Sequence, residues 1–119
     1  MVRVGLLGSG VGVRTHLPGF RQAGARVDAI YSPNLEKARR IGEQHDIAKV
    51  YESYTELCED PDLDLVCVTS PNTFHLEQSA YALSAGKSVL CEKPLAGSVA
   101  ECDELIALAA SSPRQGASV

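Results

Sequence analysis

Short apolar runs alternate with helix-periodic segments from the amino terminus to about residue 110, and this alternation constrains the fold more than any other property of the chain. Residues 2–7 form an apolar run closed by Gly8, the pattern of a strand buried on both faces of a parallel sheet. Val13, Leu17, Phe20 and Ala23 then recur at helical spacing up to Gly24, with Pro18 placed to kink or restart that helix. A second strand over 27–31 leads into a helix capped by Asn34, whose apolar face is Leu35, Ala38, Ile41 and Gly42. A brief third strand spans 49–51, and Ser53-Tyr54-Thr55-Glu56 is a capping box for a short helix that must stop before Pro61. The fourth strand covers 63–69, a helix over 74–85 is closed by Gly86, and a fifth strand follows over 88–91. Ser98-Val99-Ala100-Glu101 is another capping box, opening a last helix with Cys102, Leu105, Ile106 and Ala109 on one face.

Strands connected in this way run parallel through right-handed crossovers, so the expected fold is α/β: a doubly wound parallel sheet of strand order 3-2-1-4-5 with helices on both faces. At 119 residues, 45% hydrophobic and 22% charged, the chain suits one globular domain over 1–110, trailed by a non-periodic stretch over 111–119 that reads as a flexible tail or boundary. A net charge of -4 without clustered Lys and Arg argues against a nucleic-acid surface, and Arg39 with Arg40 reads as a solvated helix face. The apolar stretches are broken by acids and fall well short of the roughly 20 residues that span a bilayer, so no membrane partner is expected. The amino terminus lacks the apolar segment and cleavage site of a secretory signal and enters structure directly. Cys58, Cys67, Cys91 and Cys102 lack C-x-x-C spacing and lie inside apolar patterns, which suits buried thiols in a reducing cytoplasm and gives no support to a metal site. Cys91, directly before Glu92 and Lys93, leaves a reactive role open.

Gly8-Ser9-Gly10-Val11-Gly12 lies where the first strand hands over to the first helix, the context in which a glycine-rich turn binds phosphate. Gly8 allows the tight turn, Gly10 lets backbone N–H groups approach a pyrophosphate, and the helix start adds partial positive charge. The turn departs from G-x-G-x-x-G, because Val13 stands at the third glycine position and Gly12 comes one residue early. An ordinary glycine turn of an α/β domain is the competing reading. At the end of the second strand, where an acid would accept hydrogen bonds from the ribose hydroxyls of NAD, the chain has Tyr31-Ser32-Pro33-Asn34. Ser32 and Lys37 are therefore candidates to hold the 2′-phosphate of NADP, which tilts the cofactor towards NADP over NAD. Alternatively, Ser32 and Asn34 simply cap the next helix and Lys37 is solvated.

The glycine turn with His16 and Pro18, the Ser70-Pro71-Asn72-Thr73-Phe74-His75 segment after strand four, and Glu92-Lys93-Pro94 after strand five together resemble the Gfo/Idh/MocA oxidoreductase family. The resemblance runs from Val2 to about Ala110 and matches only that family's amino-terminal, Rossmann-type NAD(P)-binding domain. It implies hydride transfer between a nicotinamide and a carbon bearing hydroxyl or carbonyl in a sugar, cyclitol or related polyol. Lys93 matches the family's catalytic lysine, whose ammonium polarises the reacting oxygen, and Glu92 matches the residue that positions it. Ser70, Pro71, Asn72 and His75 would line the nicotinamide or ribose side, although His75 also reads as a helix-start cap. His16 and His45 read as structural. In the family a second, mostly β domain supplies the substrate pocket, a catalytic histidine and the usual oligomer interface, so cofactor binding with negligible turnover is expected of these 119 residues.

Two other classes of function stay open on the sequence. One is a protein that binds the dinucleotide without catalysis and uses it for regulation or partner binding, against which the intact Glu92-Lys93-Pro94 argues. The other is a homo-oligomer formed through an exposed sheet edge or face.

Overall fold

The computed structural model describes residues 1–10, 12–92, 99–111 and 117–118 and places all strands parallel in one sheet. The strands are β1 (Arg3–Leu7), β2 (Arg26–Tyr31), β3 (Lys49–Tyr51), β4 (Leu65–Val68), β5 (Ser88–Cys91) and β6 (Ala117–Ser118), ordered β3-β2-β1-β4-β5-β6. The expected order of five is present. β6 extends it by one short edge strand pairing with Val89 and Leu90, so part of the stretch beyond residue 111 joins the sheet.

The helices are α1 (Leu17–Gln22), α2 (Leu35–His45), α3 (Tyr54–Cys58), α4 (His75–Ser84) and α5 (Val99–Ser111). A wide π-type turn, Gly12–His16, precedes α1, and Pro18 sits in the first turn of α1, where its missing N–H costs nothing. The helix after the glycine turn is thus restarted at the proline. Asn34 Oδ1 caps α2 by accepting the Lys37 N–H at 3.1 Å, and Ser53 Oγ caps α3 by accepting the Glu56 N–H at 3.2 Å. Ser98, the second proposed capping serine, lies outside the described residues.

Alternation along the central strands feeds two apolar layers. Val4, Leu6, Ile30 and Cys67 pack with Leu17, Ala38 and Ile41 of α1 and α2 on one face. Leu7, Ala29, Val66 and Val68 pack with Leu57, Leu83 and Leu105 of α3, α4 and α5 on the other. Each fully buried Leu contributes about 2 kcal/mol. In α5 Leu105 is buried, but Ile106 is 62% exposed, which corrects the expectation that both face the core. Consecutive helical residues are turned by about 100°, and here only the side bearing Leu105 is covered.

The register between β1 and β2 shifts after Val4, because β2 runs from Val27 to Ala29 where β1 runs from Val4 to Gly5. The inserted Asp28 reverses the alternation, so Val27 and Ile30 face the same layer. It also brings Tyr31 level with Leu7, and the Gly8 N–H donates to the Tyr31 carbonyl at 2.9 Å. The glycine turn and the end of β2 are thereby set side by side.

At the amino ends of the strands lies a satisfied polar cluster. The buried Asp60 carboxylate accepts from Lys49 Nζ at 2.8 Å, Tyr51 Oη at 2.6 Å and the Asp62 N–H at 2.8 Å. Lys87, only 6% exposed, donates to the Asp60 carbonyl at 2.6 Å and the Leu63 carbonyl at 2.8 Å. Burial alone would raise the Asp60 pKa, but the hydrogen bonds from Lys49 and Tyr51 outweigh it and hold the carboxyl below its ordinary value. Burial, then the bond to Asp60, pushes Tyr51 up to about 12.

Candidate functional site

Between β1 and β4 the chain order of the strands reverses, so the connections leaving their carboxyl ends diverge to opposite faces. A crevice of about 590 Å³ opens there. The glycine turn supplies Gly8, Ser9, Gly10 and Arg14, the end of β2 supplies Tyr31, Ser32, Pro33 and Asn34, and the β4–α4 connection supplies Thr69, Ser70 and Pro71. Tyr54 of α3, with Phe74, Glu77 and Gln78 around the start of α4, completes the wall.

Gly8 has φ +121°, and a Cβ there would lie 2.8–2.9 Å from atoms of Thr69, so the first glycine is required by the protein's own packing. Gly10 differs. Among the described residues, a Cβ at Gly10 would meet no atom within 4 Å beyond its chain neighbours, although the residue lines the crevice. Space held open above a backbone between two strand ends fits a pyrophosphate lying on the turn, and so fits the dinucleotide the sequence suggests. Gly12 opens the π-type turn, and Val11 lies outside the described residues.

Ser32 is buried, with its Oγ 3.2 Å from Ser9 Oγ and accepting the Asn34 N–H at 3.3 Å. It therefore takes part in the turn that begins α2 while still lining the crevice. Lys37 is exposed on α2 and is not among the residues lining the crevice. The cation on the wall is Arg14, which the sequence reading passed over; it makes no ion pair among the described residues. Its signal was local, a guanidinium two residues past the last glycine of the turn.

Ser70 Oγ donates to Gln78 Oε1, tying the end of β4 to α4. His75, 1% exposed, donates from Nε2 to the Ser70 carbonyl at 2.7 Å and stands behind the crevice wall. Pro71 lines the crevice, and Asn72 opens a 3₁₀ turn before α4. Glu92 leaves the end of β5, its N–H bonded to the Val68 carbonyl at 2.9 Å. Its Oε2 is 2.9 Å from His16 Nε2, so a residue of the glycine-turn segment meets the end of β5 across 76 positions of sequence. Lys93 and Pro94 lie outside the described residues.

Cys58, Cys67 and Cys91 are buried free thiols, and Cys102 is half-buried. Burial pushes Cys58 and Cys67 up to about 12 and raises Cys91, the direction opposite to an activated thiolate. Among the described residues no group of three His, Cys, Asp or Glu is placed to hold a metal, and no helix is long and apolar enough to cross a membrane.

Residues 2–119 match the GFO_IDH_MocA oxidoreductase family, NAD-binding Rossmann fold. The trans-1,2-dihydrobenzene-1,2-diol dehydrogenase of Xenopus tropicalis is 44% identical over 84 residues, which make up 71% of this chain and 26% of that protein. A 1,5-anhydro-D-fructose reductase of Ensifer adhaerens is 37% identical over 110 residues, 92% of this chain and 33% of the relative. Among solved structures, the 3-ketoreductase KijD10 of Actinomadura kijaniata in complex with NADP and TDP-benzene superposes with a TM-score of 0.84 at 35% identity, over 92% of this chain and 34% of that one. The chain thus spans about a quarter to a third of the length of these proteins.

Proposed function

Because the chain belongs to the GFO_IDH_MocA oxidoreductase family, we propose that it is the nucleotide-holding part of an NAD(P)-dependent dehydrogenase or reductase acting on a sugar, cyclitol or related polyol. The observation that carries this reading is the crevice at the β1–β4 switch point, where Gly10 leaves open space that the protein's own packing does not need. The backbone of the glycine turn would hold the pyrophosphate, and the hydroxyls of Ser9 and Ser32 would hydrogen-bond the adenosine ribose or its phosphate. When bound, the nicotinamide supplies or accepts hydride. Lys93 is the residue that would polarise the reacting oxygen and hand on its proton, with Glu92, held by His16, fixing the end of β5 from which the lysine follows.

The crevice wall carries a guanidinium at Arg14 and no acid at the end of β2, which supports NADP as the preferred cofactor. A carbon bearing hydroxyl or carbonyl is the reacting group named or implied by the diol dehydrogenase and ketoreductase relatives, and this supports the polyol class. Titration of the chain with NADPH and NADH, read by nicotinamide fluorescence, tests the proposal. NADPH should bind more tightly. Equal or reversed affinities would defeat the NADP preference, and no binding of either would defeat the reading as a whole. Assayed without the remaining two thirds of such a protein, the chain should turn over no polyol at a measurable rate.

A further inference from the structure

Resting on the dinucleotide reading, the wall of the crevice opposite the glycine turn carries a second message. Among the described lining residues Glu77 is the one anion, as Arg14 is the one cation. Tyr54 Oη donates to Glu77 Oε1 at 2.9 Å, which fixes the carboxylate and leaves Oε2 without a partner among the described residues. The Tyr54 ring is itself held edge-on between Tyr31 and Tyr81, with centroids 6.4 and 5.7 Å away. Beside this pair Phe74 is 41% exposed, a large apolar ring turned to the crevice and not to the core. A flat aromatic surface next to an oriented carboxylate suits a planar heterocycle with a hydrogen-bond donor on its edge.

A phosphate has only acceptors and is repelled by Glu77, so the nucleotide's anionic end belongs on the Arg14 side. The base then falls to the α4 side, where the carboxylate meets the edge of the purine. Adenine presents its donor at the 6-position, whereas a 6-oxo purine carries an acceptor there and moves its donor to the neighbouring N1–H, so a carboxylate held against the 6-position favours adenine. We infer that Glu77, oriented by Tyr54, reads the amino group of adenine and makes this crevice selective for adenine dinucleotides over their 6-oxo counterparts.

The test compares NADPH with its deamino analogue, the reduced nicotinamide hypoxanthine dinucleotide phosphate, and NADH with deamino-NADH, all by fluorescence titration of the 119-residue chain. The wild type should favour adenine by about tenfold, the scale of one hydrogen bond to a charged group. Glu77→Gln, whose amide can both donate and accept, should bring that ratio to about twofold or less with an unchanged thermal melt. Tyr54→Phe should give a ratio between the two. A wild-type ratio near one, or a ratio unchanged in Glu77→Gln, would overturn the inference while leaving the dinucleotide reading intact. Equal weakening of both partners in Glu77→Gln would place the carboxylate on the ribose and also overturn it. Failure of all four dinucleotides to bind the wild type would remove the dinucleotide reading, and this inference with it.

Discussion

The two ends of the parallel sheet are built on opposite terms. At the amino ends, Asp60 accepts from Lys49, Tyr51 and the Asp62 amide, and Lys87 gives its protons to two backbone carbonyls. At the carboxyl ends, Gly10 faces open space and, among the described residues, Arg14 has no ion-pair partner and Glu77 Oε2 no hydrogen-bond partner. Closed polar clusters hold a fold together, because every buried charge in them is compensated. Unspent donors and acceptors around a crevice are capacity for a ligand. The lesson is that one sheet separates stability from binding by direction, and substitutions at the two ends should separate in the same way.

The largest expected effect on stability is at the closed end. Asp60→Ala leaves the Tyr51 hydroxyl and the Asp62 N–H without their acceptor, while Lys49 keeps Asp62, and should cost about 2 kcal/mol in urea unfolding. The protein that remains folded should keep its NADPH affinity. If affinity fell in step, the separation would be broken. At the open end, Gly10→Val should weaken NADPH binding by about a hundredfold, by filling the space over the turn, and shift stability by less than about 1 kcal/mol. Isothermal titration beside a thermal melt reads both.

Arg14→Ala should weaken NADPH by about tenfold and NADH by less, whereas Lys37→Ala should change either by no more than about twofold. The reverse ranking would move the phosphate site out of the crevice and onto α2. Acid should act on the closed end. The folded pKa of Asp60 is held below its ordinary value of 3.8, so its contribution is complete above that pH and is lost as the pH falls through the lower folded value. Urea midpoints at pH 7, 5 and 3 should therefore drop mainly in the last step, and Asp60→Asn should flatten that drop.

Local grammar made much of the fold legible. The third and fifth strands occupy the residues expected, Asn34 and Ser53 cap the helices they were expected to cap, and Pro18 restarts the first helix. In the crevice, Gly8, Ser9, Gly10, Ser32, Ser70 and Pro71 meet because the ends of adjacent parallel strands must. What sequence could not supply was proximity between distant elements. Nothing in periodicity joins His16 to Glu92, Tyr54 to Glu77, or Lys87 to the Asp60 carbonyl. Lys37, whose spacing from Ser32 suggested a shared ligand, stands exposed in the first turn of α2 behind the Asn34 cap and is not among the residues lining the crevice. Ile106 shows the same limit in a helix, since apolar periodicity does not say how wide a face the neighbours will cover.

The most direct measurement is a titration of the isotopically labelled chain with NADPH, followed by amide chemical shifts. The account predicts saturable shifts at Gly8, Ser9, Gly10, Ser32 and Ser70 at the carboxyl end of the sheet, with Asp60, Asp62 and Lys87 at the amino end unmoved. Absence of saturable shifts, or shifts centred on the amino end, would contradict it.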